Sequence, residues 1–169
     1  MLHIFYSRVI VMMNKRLLGG YLRMISNALS QDLRQQTEQL GLTSSQGMFL
    51  HHIWKRQQEG AETYAKDLEE FFYVKHPTVS GILQRMESAG FISFRAKEGD
   101  KRCKAIELTQ KAIDTHNAIE MHLHRSEAQL LSGMSEEDQA RFRRLLQVAA
   151  NNLGVCCKPP AIDEKEETT

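Results

Sequence analysis

The side chains best equipped for chemistry are seven histidines, three cysteines and a cluster of bases near the middle of the chain. His116, Glu120 and His124 follow one another at four-residue steps, which puts them on one helix face, and imidazole and carboxylate at that spacing can share a metal ion. No cysteine stands near them in sequence, and His122 and His124 point to different faces. His116 also falls on an apolar stripe with Ala112, Ile119 and Leu123, so a histidine at the buried edge of a helix accounts for the pattern. His51 and His52 are further groups able to bind a metal. No metal site and no cofactor are expected.

The cysteines, Cys103, Cys156 and Cys157, are odd in number, two are adjacent, and none is spaced as C-x-x-C. That is not a disulfide framework, and it points to a reducing cytoplasm. Cys103 lies in a strand-like run, where oxidation would act on its surroundings, and Cys156-Cys157 fall in a tail where they react only incidentally. A Gly-rich phosphate loop, a nucleophile elbow and H-E-x-x-H are all missing, so an enzyme is not expected.

The bases are more informative. The whole chain carries a net charge of +1, but between Phe91 and Lys104 the bases Arg95, Lys97, Lys101, Arg102 and Lys104 face only Glu98 and Asp100. That net +3 sits on two strand-like runs, Phe91 to Arg95 and Cys103 to Leu108, joined by the turn Glu98-Gly99-Asp100-Lys101. Strands this short need helices to lean on.

Those helices can be read from periodicity. Leu18, Leu22, Ile25, Leu29 and Leu33 step at helical spacing through a first helix from Lys15 to Leu40, which Gly41 ends. Thr43-Ser44-Ser45-Gln46 is a capping box that opens a second helix to about Gln58, with Phe49, Leu50, Ile53 and Trp54 inward. Thr63 is placed to cap a short third helix with Ala65, Leu68, Phe71 and Phe72 inward. A fourth helix starts at Pro77 and runs to Ala89, with Gly90 after it. Thr109 caps a fifth helix to about Leu131, and Ser135-Glu136-Glu137-Asp138 opens a sixth, carrying Ala140, Phe142, Leu145, Leu146 and Ala149. A short helix, a turn, a second helix and a hairpin make a winged helix-turn-helix, so the fold class is mainly α with a two-stranded β wing.

The fourth helix explains what the basic hairpin is for. Val79, Ile82, Leu83 and Met86 form the inward stripe. The opposite face carries Pro77, Gly81, Gln84 and Ser88, flanked by Thr78, Ser80 and Arg85, with neither an acid nor a bulky apolar group at its centre. Gln pairs bidentately with adenine and Arg with guanine, and Ser and Thr reach phosphates or base edges, so this face suits the DNA major groove. His76, at the start of the helix, joins the expected contacts. The basic hairpin beside it suits backbone phosphates or a minor groove, through Arg95, Lys97, Lys101 and Arg102.

Asp100 to Thr109 fits D-x-R-x-x-x-x-x-L-T, and in this the chain resembles the MarR family at its wing. Thr78 to Glu87 with Gly90-Phe91-Ile92, and Leu42-Thr43-Ser44-Ser45-Gln46, are similar to that family's recognition helix and second-helix start. The similarity spans roughly residues 20–154. It implies a homodimeric transcription regulator on double-stranded DNA, with Asp100 holding the wing through an ion pair and Arg102 entering the minor groove. A two-fold dimer implies a pseudo-palindromic site with half-sites about one helical turn apart. The resemblance also implies a ligand-responsive repressor, the alternatives being a metal- or thiol-responsive winged-helix regulator and a winged-helix protein-interaction module without DNA binding. The expected effector is a small aromatic or phenolic compound, in a pocket lined by Met48, Phe49, His52 and His116.

The expected organisation is a dimerisation helix in residues 1–40, the winged domain in 41–110, dimerisation helices in 111–154 and a disordered tail in 155–169. Apolar stripes on the outer helices exceed what one winged core can cover, which supports the dimer independently. The apolar N-terminal stretch is interrupted by Arg8 and is too short to span a membrane. It reads either as a segment preceding a start at Met12 or Met13, or as a helical turn packed on a partner subunit.

Overall fold

The computed structural model of the chain describes residues 17–97 and 100–155, except for the side chains at 97 and 100–103. The expectations for residues 1–16 and for the tail beyond Val155, Cys156 and Cys157 included, lie outside the described residues.

The elements follow the order read from the pattern. Helices α1 (Leu18–Gln39), α2 (Ser44–Gln58), α3 (Ala65–Phe72) and α4 (His76–Ser88) precede strands β1 (Ile92–Lys97) and β2 (Asp100–Leu108), and helices α5 (Gln110–Leu130) and α6 (Glu136–Asn152) complete the chain. The fold is a mainly helical winged helix. Two compact units are present, one through Ser126 and one from Glu127 onward.

The core of the first unit is built where the apolar stripes meet. Phe49, Leu50 and Ile53 of α2, Leu68 of α3, and Val79, Ile82, Leu83 and Met86 of α4 are all buried, together with Leu42, Phe91, Ile92, Ile106 and Ala112. At α2 the capping box forms as the residue types require. The Gln46 N–H donates to Thr43 Oγ1 at 3.3 Å, and the Thr43 N–H donates to Gln46 Oε1 at 2.8 Å. Two of the helix's orphan donors are thereby satisfied.

The end of α4 hands the chain to the wing. Gly90 adopts φ +75°, a left-handed conformation that side chains resist, and the Phe91 N–H returns to the Met86 carbonyl at 2.9 Å. Phe91 is thereby turned into the core and β1 begins. β1 and β2 pair antiparallel from Ile92 opposite Leu108 to Lys97 opposite Asp100, with an irregularity between Ala96 and Lys97. Thr109 closes the hairpin, donating its hydroxyl to the Gly90 carbonyl at 2.7 Å.

Two expectations need correction. Thr63 does not cap α3: it is buried and bridges to β2, its carbonyl accepting the Ile106 N–H at 2.8 Å. The helix begins one residue later behind Tyr64, whose N–H donates to Asp67 Oδ2 at 2.8 Å. A third backbone strand position outcompeted the local cap. Phe71 is not inward either. It is 59 % exposed, and its ring lies on His52 at 4.0 Å between centroids. With Leu68 and Phe72 facing inward on an eight-residue helix, Phe71 falls on the rim.

In the second unit α6 is capped by Ser135, whose Oγ accepts the Asp138 N–H at 3.2 Å, and three acids occupy its first turn. None of its 17 residues is buried. α1 likewise buries only Thr37 among 22 residues, while Leu17, Leu18, Tyr21, Leu22 and Met24 are exposed.

Candidate nucleic-acid interface

The site is built from α3, α4 and the wing. α3 ends at Tyr73, which takes a left-handed conformation (φ 53°) and returns its N–H to the Glu69 carbonyl, so the chain reverses within a few residues into α4. Pro77 sits in the first turn of α4, where its missing N–H costs nothing. The stripe Val79, Ile82, Leu83 and Met86 locks the inner side of α4 into the core. This fixes the outer side. Thr78, Gln84 and Arg85 are exposed, and Ser80 and Gly81 are half-buried.

Two predicted contacts are already engaged by neighbours. His76 Nδ1 lies 2.6 Å from Glu69 Oε1 of α3, and its Nε2 lies 3.2 Å from Ser80 Oγ. That link ties the first turn of α4 to α3. Arg95, on β1, donates from Nε to Glu107 of the adjacent strand and from Nη2 to Glu62 at 2.6 Å. These two carboxylates raise its pKa further above its already high ordinary value. The guanidinium braces the base of the wing against the loop before α3. The two acids stand 33 and 12 residues from Arg95 in sequence. The side chains of Lys97, Asp100, Lys101 and Arg102 lie outside the described residues. Lys104 is exposed, its ammonium 6.0 Å from the centre of the Phe94 ring.

A consequence can be measured. Because Arg95 is balanced by two carboxylates, Arg95→Ala should change the salt slope of DNA binding by clearly less than the ~0.9 expected for one phosphate contact. A full unit of slope would put its charge on the backbone.

An open concavity lies between these elements, lined by Tyr64, Asp67, Glu69, Ser80, Gln84 and Lys104 among others. Of the four residues expected to line an effector pocket, Phe49 and His52 share a neighbour in Phe72. Met48 is 53 % exposed, while Phe49 is buried and stacks on Phe72 at 4.7 Å. His52 lies against Phe71 and Phe72, and burial, followed by the nearby Arg56 charge, lowers its pKa. His116 stacks on Trp54 at 4.2 Å and faces His51 instead. Burial lowers its pKa as well.

Ser126, His122 and Asp32 also meet, but not as a nucleophilic triad. The Ser126 hydroxyl donates to Asp32 Oδ2 at 2.6 Å and stands 3.5 Å from His122 Nε2, so the imidazole is not the group that receives its proton. The hydrogen bond from Ser126 is the main cause that holds the Asp32 carboxyl below its ordinary pKa. The cluster ties α1 to α5.

A helix pair leading into a two-stranded wing, with the outer side of its second helix open, defines a winged helix-turn-helix DNA-binding protein. The sequence pattern of the MarR family matches residues 42–104. An HTH-type transcriptional regulator of Bacillus subtilis, YwoH, is 29% identical over 120 residues, which are 71% of this chain and 84% of YwoH. MepR, a transcription regulator of the Staphylococcus aureus multidrug efflux pump MepA, superposes with a TM-score of 0.72 at 27% identity, covering 81% of this chain and 98% of MepR. A mutant of MepR bound to an oligodeoxyribonucleotide gives a TM-score of 0.67 at 30% identity, covering 82% and 99%. The chain belongs to the MarR family and is a DNA-binding transcription regulator, not an enzyme. Among the described residues no helix is long and apolar enough to cross a membrane.

Proposed function

We propose that this protein is a homodimeric, ligand-responsive repressor in the cytoplasm that reads a pseudo-palindromic operator. The carrying observation is α4, whose apolar stripe is wholly buried while Thr78, Gln84 and Arg85 are exposed beside the basic wing. Such a helix enters a major groove with its outer side and leaves the wing to the flanking backbone. Thr78, Ser80, Gly81, Gln84 and Arg85 supply the helix contacts, and Lys97, Lys101 and Arg102 the wing contacts. Asp100 orients Arg102, as the family resemblance implies. Arg95 and His76 serve by bracing the reading helix and the wing.

The dimer is supported by α1 and α6, which expose Leu18, Tyr21, Leu22, Leu145 and Val148. Long amphipathic helices that one chain leaves uncovered are what a second copy buries. Dimerisation makes the two α4 helices a pair related by two-fold symmetry. The effector is a small aromatic or phenolic compound, for which the partly exposed rings of Phe71 and His52 beside Phe72 offer a flat apolar surface.

Selection from a random duplex DNA pool, run in parallel with wild type and Gln84→Ala, tests the proposal. The wild type should recover an inverted repeat with half-sites about one helical turn apart. Gln84→Ala should recover the same repeat with relaxed preference at one position per half-site, a discrimination loss of about 1–3 kcal/mol. Unrelated single half-sites, or an unchanged preference in the variant, would remove the dimer or the assignment of Gln84 respectively.

A further inference from the structure

α2 and α5 bring together three groups that the DNA-binding role leaves unused. His51 Nδ1 lies 3.1 Å from His116 Nε2, and each of these atoms lies 3.7 Å from Glu120 Oε1. The three donor atoms form an isosceles triangle with one shorter edge between the imidazoles. Zinc holds imidazole nitrogens and carboxylate oxygens at about 2.0–2.2 Å, so two ligands on a tetrahedral ion stand roughly 3.3–3.4 Å apart. An octahedral ion at similar bond lengths sets adjacent ligands at about 3.0 Å. The observed edges fit one face of a tetrahedron better, and the residue types are those of an open three-ligand zinc site.

The rings are held for this arrangement. His116 is buried and packs against both the Trp54 ring at 4.2 Å and the His51 ring at 5.3 Å, each inclined to it by 15°. Its Nε2 is therefore pointed at the other two donors by packing. His51 and Glu120 are more accessible, with 57% and 39% of their side chains exposed, so the fourth position opens outward to water. His116 and Glu120 share a face of α5 at four-residue spacing, while His51 comes from 65 residues away on the winged core.

We propose that His51, His116 and Glu120 form a zinc site that bridges α2 and α5, with water as the fourth ligand. The ion replaces the hydrogen bond between the two imidazoles. His116 must then carry its proton on Nδ1, a buried atom without a partner among the described residues. Without an outer partner for that N–H, affinity falls below that of sites with a complete second shell.

Titration of the purified full-length protein with cobalt(II) alone, followed by displacement with zinc, tests the site without DNA. The expected result is one ion per chain, the strong visible absorption of tetrahedral cobalt, and displacement by one equivalent of zinc. His51→Ala and Glu120→Gln, both at accessible positions, should each weaken binding by more than about 100-fold, beyond the 10–100-fold typical of losing an outer-shell partner. His124→Ala and the double variant Cys156→Ser with Cys157→Ser should bind as wild type does. The proposal fails if wild type takes up no ion, if His51→Ala and Glu120→Gln bind normally, or if only the cysteine variant loses binding, which would mark an adventitious tail site. Because no DNA is present, none of these outcomes touches the reading of α4.

Discussion

Lys101→Glu combined with Arg102→Glu is expected to lower specific DNA affinity by roughly 100–1,000-fold at about 0.1 M salt while leaving the fold intact. Both residues lie on β2, the strand that carries the chain back from the wing turn. On the proposed reading two cations at the DNA become two anions, so counterion release at both contacts is lost and repulsion is added. The slope of log affinity against log salt should fall by at least about 1.8. The base of the wing is braced elsewhere, by Arg95 on Glu62 and Glu107, so helical content and unfolding temperature should stay near wild type. Fluorescence anisotropy over a salt series, on the repeat recovered by selection, measures both quantities. Affinity within about threefold of wild type would show that the wing does not meet the backbone. A loss confined to one operator sequence would make these residues base readers instead.

What the sequence revealed, and what it concealed, divides by range. The α4 stripe, the Thr43 capping box and the Gly90 break depend on residues close together in sequence, and each forms as read. Thr63 has the right type for a helix cap, yet a backbone bridge to Ile106, 43 residues on, claims it. Arg95 reads as a free base in a basic run until Glu62 and Glu107 arrive beside it. The histidines show the same limit most sharply. Spacing put His116, Glu120 and His124 on one face of α5, but the groups that meet are His116, Glu120 and His51, the last from a helix that periodicity cannot place against α5. Of the expected effector lining, Phe49 and His52 meet at Phe72, while His116 lies against Trp54 and His51. Local chemistry specifies elements. Which elements meet is settled by burial, and a site made from two of them becomes visible only afterwards.

Leu68→Ala should destabilise the protein by about 2–5 kcal/mol, the cost of removing a buried leucine and leaving part of its volume empty. Leu68 has no exposed surface and is the one buried member of α3, a helix of eight residues. A helix that short does not persist in water by its own hydrogen bonds, so its place beside α4 depends on this side chain. Against a total stability of about 5–15 kcal/mol, the loss is large. It should appear as a lower urea midpoint with little change in slope, measured at one fixed protein concentration because a dimer's stability depends on it. Phe71→Ala on the same helix removes a larger side chain, but one that is 59 % exposed, and should cost clearly less. If Phe71→Ala proves the more damaging, the rim ring beside His52 is covered in solution by a second copy of the chain. Leu68→Ala should also keep near-normal DNA affinity when assayed well below its unfolding temperature, since no DNA contact is removed. Weak binding by fully folded Leu68→Ala would instead mean that the angle between α3 and α4 is set by this one contact.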